Sequence, residues 1–72
     1  MSQAQQILMY LKQHKTITPM DAWDKLFITK LATRIGEMKK SGIAINTEIV
    51  HDVNKNGHPI RYARYSLAEE NN

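Results

Sequence analysis

Residues 54–67 read Asn-Lys-Asn-Gly-His-Pro-Ile-Arg-Tyr-Ala-Arg-Tyr-Ser-Leu (NKNGHPIRYARYSL), a turn signal followed by an alternating segment. Upstream, Ile43, Ile45, Thr47 and Ile49 alternate with Ala44, Asn46, Glu48 and Val50, the period-2 pattern of a half-buried strand. The loop length between the two strands fixes which side chains share a face. A two-residue Asn56-Gly57 turn would set Ile49 opposite Arg64. A three-residue loop, Lys55-Asn56-Gly57 with Gly57 in the left-handed bulge position, keeps parity instead. Ile49 then opposes Ala63, Thr47 opposes Tyr65 and Ile45 opposes Leu67, while Glu48 meets Arg64 and Val50 meets Tyr62 on the other face. The second register gives favourable cross-strand pairs on both faces and is the one expected.

Three helices precede this hairpin. Ser2 and Gln5 form a capping box, and Ala4, Ile7, Leu8 and Leu11 give one apolar stripe, so helix 1 is expected over Gln3 to Gln13. Thr16-Ile17 is too short for more than an edge strand. Thr18 caps helix 2, with Pro19 at its first position and Asp21 completing a second box. Met20, Trp23 and Phe27 share a stripe there, with Ala22 and Leu26 beside it, and Met20, Trp23 and Phe27 are expected in the core. Phe27-Ile28 becomes a tight turn, Thr29 caps helix 3, and helix 3 runs from Lys30 to Ser41 with Gly42 just past its end. Leu31, Ala32, Ile35 and Met38 are expected to face inward. His51 is expected to face inward beside Arg61, at the edge of the core.

Three helices followed by a two-stranded antiparallel β-hairpin define an α+β fold, the winged helix-turn-helix, with the hairpin as wing. Residues 1–68 form the domain, and 69–72 are a frayed acidic and polar tail. In such a fold helix 3 enters the major groove of double-stranded DNA and the wing reaches the backbone or minor groove. Lys30, Thr33, Arg34 and Glu37 form a polar row opposite the apolar stripe, which Lys40 continues, and Thr29 precedes it. Arginine suits guanine, a carboxylate accepts from cytosine N4, and lysine suits phosphate. Lys55, Asn56, His58, Arg61 and Arg64 would supply the wing's contacts, although Arg64 also has Glu48 as a partner.

The segments Leu31-Ala32-Thr33-Arg34-Ile35, Lys39-Lys40-Ser41-Gly42, Asn54-Lys55-Asn56-Gly57 and Ala63-Arg64-Tyr65-Ser66-Leu67, together with Ile45, resemble small helix-turn-helix proteins of bacteriophages and prophages. The resemblance runs from about Gln6 to Leu67. It implies a phage-encoded protein that binds DNA; the function class expected is a sequence-specific or architectural binder of double-stranded DNA, a transcriptional regulator or an excisionase-like factor, working in the cytoplasm of a bacterial host. The sequence departs from that pattern at Ile28, where a glycine often opens the turn.

Composition narrows the alternatives. The chain has 72 residues, a net charge of +3 and no cysteine, which excludes disulfides and thiolate metal sites. Charge is uneven: Lys12 and Lys15 balance Asp21 and Asp24 in residues 1–24. In residues 25–64, Lys25, Lys30, Arg34, Lys39, Lys40, Lys55, Arg61 and Arg64 outweigh Glu37, Glu48 and Asp52, a balance of +5. A basic second half is the electrostatic footprint of a nucleic-acid partner. His14, His51 and His58 are far apart, with no ligand or catalytic spacing, and no phosphate-cradling glycine loop is present. No enzyme, metal or cofactor is expected, and no apolar run approaches a membrane span. With no evident dimerisation helix, the chain is expected to be a soluble monomer that pairs only on DNA, through Val50 and Tyr62 or Met9 and Tyr10. The other function class is a module that binds and modulates a host protein without DNA.

Overall fold

The computed structural model describes residues 2–68, so the tail expected at 69–72 lies outside the described residues. In chain order the elements are α1 (Gln3–His14), β1 (Thr16–Ile17), α2 (Pro19–Leu26), α3 (Leu31–Lys40), β2 (Ile45–Val53) and β3 (Pro59–Leu67). Both capping boxes form. In α1, Ser2 Oγ accepts from the Gln5 N–H at 3.1 Å and Gln5 Oε1 accepts from the Ser2 N–H at 3.0 Å. In α2, Thr18 and Asp21 make the same exchange at 3.1 and 3.0 Å, with Pro19 at the first position. The end of α3 is a Schellman closure: Gly42 takes φ 103°, its N–H reaches Lys39 O at 3.1 Å, and the Ile43 N–H reaches Met38 O at 3.1 Å.

One core receives something from every element. Ile7 and Leu11 of α1, Ile17 of β1, Ala22 of α2, Ile28 of the turn, Leu31, Ile35 and Met38 of α3, and Ile45 and Tyr65 of the sheet are all buried. Ala4, Leu8, Tyr10, Leu26, Ile43, Ala63 and Leu67 pack around them. Tyr10 lies against α2, where burial raises its phenol pKa above the usual value and Asp21 raises it further.

The hairpin has the parity-preserving register, from Ile45↔Leu67 through Ile49↔Ala63 to Val53↔Pro59. Gly57 takes φ 79°, and Asn54 organises the tip, its side-chain oxygen accepting from the Asn56 N–H at 2.9 Å and the His58 N–H at 3.0 Å.

Several expectations need correcting. The sheet has three strands in the order β1-β3-β2, not two. The extended chain leading into the Thr18 cap pairs Thr16 with Ser66 and Ile17 with Tyr65, covering the second edge of β3 and burying Ile17 completely. Thr29 does not cap α3: Lys30 occupies the cap position and makes no side-chain cap bond, so the helix starts at Leu31.

The expected core face of α2 is turned outward, with Met20 73%, Trp23 53% and Phe27 74% exposed. A two-turn helix has room for one inward stripe, and Ala22 and Leu26 take it. Phe27 then adopts a left-handed conformation, φ 56°, and the Ile28 N–H closes on Ala22 O at 3.0 Å. That turn carries Ile28 into the core, so the strained position is Phe27 and not Ile28. Ala32 is exposed on the flank of α3. Ile49, 53% exposed, and His51 lie where the hairpin runs past the reach of the helices, so neither faces the core.

Candidate nucleic-acid interface

At about 100° per residue, the buried stripe Leu31, Ile35 and Met38 fixes the direction of every other side chain on α3. Thr33 and Lys40 project directly away from the core, with Gly36 and Glu37 to either side. Lys30 and Arg34 fall on one flank, and Ala32 and Lys39 on the other. Two contacts anchor this orientation. Lys39 Nζ donates to Thr47 Oγ1 at 3.2 Å, so its flank faces β2. Arg34 Nε donates to Gln3 Oε1 at 2.9 Å, so the opposite flank faces the start of α1.

Arg34 is therefore not opposite the apolar stripe. It lies beside the stripe, half-buried, and its Nη1 also donates to Glu37 Oε1 at 2.9 Å and Oε2 at 3.1 Å. The charges of the expected arginine and glutamate readers are spent on each other. Thr29 and Lys30, just before the helix, are both exposed.

Alternation divides the wing into two faces. Ile45, Thr47, Ile49, His51 and Val53 share a face with Pro59, Arg61, Ala63, Tyr65 and Leu67. That face meets the core at Ile45 and Tyr65 and touches α3 at Thr47. Asn46, Glu48, Val50, Tyr62, Arg64 and Ser66 point the other way.

Arg61 thus stands on the α3 side of the wing, while Arg64 stands on the far side. Arg64 is also occupied there: its Nε donates to Glu48 Oε1 at 3.0 Å, and its Nη2 bonds the same oxygen. The structure does not bring Arg64 together with the other expected residues. Lys55, Asn56 and His58 are exposed at the tip.

Among the described residues, ion pairs join Lys25 to Asp24, Arg34 to Glu37 and Arg64 to Glu48. Lys30, Lys40, Lys55 and Arg61 make none. These four cations are exposed and spread over the outer side of α3 and the adjoining face and tip of the wing.

Two residues absent from the sequence-based set belong to this surface. Lys39 sits at the junction of α3 and the wing. Gly36 lies at mid-helix on the outward side, and a Cβ added there would meet nothing within 4 Å. Glycine inside a helix is unfavourable, so a glycine with no packing need was a signal legible in the sequence.

Over residues 2–70 the chain matches the family of winged helix-turn-helix domains. No curated protein and no solved structure matches it.

Proposed function

As the chain belongs to the winged helix-turn-helix domain family, we propose that it binds double-stranded DNA, with the outward side of α3 in the major groove and the α3-facing side of the wing on the backbone. The observation that carries this reading is the division among the cations. Lys30, Lys40, Lys55 and Arg61 are exposed on α3 and the wing and make no ion pair, whereas Arg34, half-buried on the flank it shares with Lys30, and Arg64, on the far face of the wing, pair with Glu37 and Glu48. Thr29 and Lys30 meet phosphate at the start of α3. Thr33 and Glu37 face base edges, and Lys40 meets phosphate at the far end of the helix. Lys55, Asn56, His58 and Arg61 hold the backbone beside the wing. Arg34 acts by positioning, holding Glu37 in place and tying α3 to α1; it reads a base only by leaving both partners.

A role in transcription, a phage setting and a bacterial cytoplasm are supported by the resemblance of residues 31–35, 39–42, 54–57 and 63–67 alone. The exposed apolar face of α2 favours a second reading, a module that contacts another protein.

A salt series with the purified chain and a pool of random duplexes separates the two readings. DNA binding through these four cations should give a slope of log K against log salt of about −3.6, at about −0.9 per phosphate neutralised. Selection from the same pool should then enrich a short motif. Absence of binding to any duplex at low salt would refute the DNA reading and leave the protein-contact reading.

A further inference from the structure

Two cross-strand pairs of the wing differ in kind. Glu48 and Arg64 stand opposite each other on the far face and form an ion pair. Three residues further toward the tip, His51 stands opposite Arg61 on the α3-facing side. Both are exposed, and neither has an ion-pair partner among the described residues. The first pair strengthens the sheet. The second does not: once charged, the imidazole faces a like charge, and like charges directly opposite weaken a sheet.

Among the described residues of the hairpin, no carboxylate shares a face with His51. Ile49 and Val53 flank it along β2, both more than half exposed, and Pro59 and Ala63 flank Arg61 along β3. Glu48 and Asp52 point to the far face. Glu48 is bound there by Arg64, and Asp52 Oδ1 accepts from the Val53 N–H at 2.8 Å. Lys55 is the charged side chain of the tip. From α3, Lys39 reaches the face of His51 at Thr47, while Glu37 is held by Arg34 toward the flank that faces α1. An imidazolium at residue 51 therefore has cations for neighbours and no acid to meet.

A phosphate supplies what the fold does not. Directly opposed residues hold their Cβ atoms about 4.5–5.5 Å apart, close enough for an imidazolium and a guanidinium to close on one phosphate group. Both bonds would be charge-assisted, the strong kind. A duplex on this side of the wing also covers Ile49 and Val53, which excludes water and strengthens the attraction. A neighbouring anion favours the charged imidazole over the neutral one.

Given the DNA-binding reading, on which this rests, we propose that His51 is a further phosphate-binding residue of the wing, closing with Arg61 on one phosphate of the duplex, and that DNA binding takes up a proton there. The proton comes from solvent and stays on the imidazole. Histidine as a residue type titrates at about pH 6.5. Below that value an imidazole is already charged and the contact is fully present. Above it a proton has to be acquired on binding, at rising cost, until the imidazole stays neutral and the contact is lost. Affinity therefore rises as pH falls, and at high pH the permanent cations Lys30, Lys40, Lys55 and Arg61 act alone.

The full chain and His51→Gln are compared on the pool of random duplexes, at constant ionic strength, at about pH 5.5 and at about pH 8, on either side of the ordinary imidazole value. The exposed position tolerates glutamine, which circular dichroism checks. At the higher pH the two chains should bind alike. At the lower pH His51→Gln should bind several-fold more weakly, with a salt slope flatter by about 0.9, the share of one phosphate. The chains differ only at residue 51, so titration of His58 at the tip and of His14, packed on Tyr10 in α1, cancels in the comparison. Equal affinity and slope at both pH values would overturn the proposal and leave the DNA-binding reading standing. So would a loss of the same size at both, which marks a contact that carries no proton. Failure of the unaltered chain to bind any duplex at either pH would overturn both.

Discussion

Lys15 holds φ 76° and ψ −39°, near the strained γ-turn region, so that α1 can stop and the chain can turn at once into β1. Its N–H still closes the helix on Leu11 O at 2.9 Å, and its exposed side chain has no ion-pair partner among the described residues. The strain is therefore purely a matter of backbone. Lys15→Gly should relieve it and raise stability by about 1 kcal/mol, a rise in Tm of about 4–8 °C for a domain of this size, measured by thermal unfolding. Phe27, the other non-glycine residue at positive φ among the described residues, differs because its ring also contacts Trp23. Arg34 illustrates a limit at this scale. Its helical position relative to the apolar stripe is readable from the sequence, but the partner Gln3 is 31 residues away and enters only through the packing of α1 on α3.

What could be read at the level of elements was local. Capping boxes, Pro19 at a first helical position, Gly42 and the Gly57 turn each depend on a few adjacent residues, and each forms as its chemistry dictates. The register of β2 and β3 follows from parity and one glycine. Three features were not legible because each depends on distant chain. The third strand needs the far edge of β3. Ile49 is apolar and in phase with Ile45, yet nothing in its own segment says that the helices end short of it. α2 offers two apolar stripes, Met20-Trp23-Phe27 and Ala22-Leu26, and the more hydrophobic one is the wrong choice for the core. Its inward side is set by the space between α1 and α3, which admits Ala22.

In α3, Gly36 is a sequence signal that the polar row leaves out. Gly36→Ala should stabilise the free protein by about 0.5–1 kcal/mol, since Gly36 has no packing role. The same methyl should weaken DNA binding if the helix backbone approaches the duplex there. A rise in Tm together with a several-fold loss of affinity is the expected pair of results. A rise in Tm with unchanged affinity would take Gly36 out of the interface.

Over the whole molecule, charge is segregated. Arg34, on the flank of α3, and Arg64, on the far face of the wing, take acidic partners, while Lys30, Lys40, Lys55 and Arg61 make no ion pair. Arg61 and Arg64 provide the comparison, because they lie three residues apart on the same strand but on opposite faces of the wing. The salt dependence of DNA binding should be measured for Arg61→Ala and Arg64→Ala beside the wild type. Arg61→Ala is expected to flatten the slope by about 0.9, the share of one neutralised phosphate, while Arg64→Ala leaves it unchanged. A slope flattened by Arg64→Ala and untouched by Arg61→Ala would put the duplex on the other face of the wing and contradict this assignment.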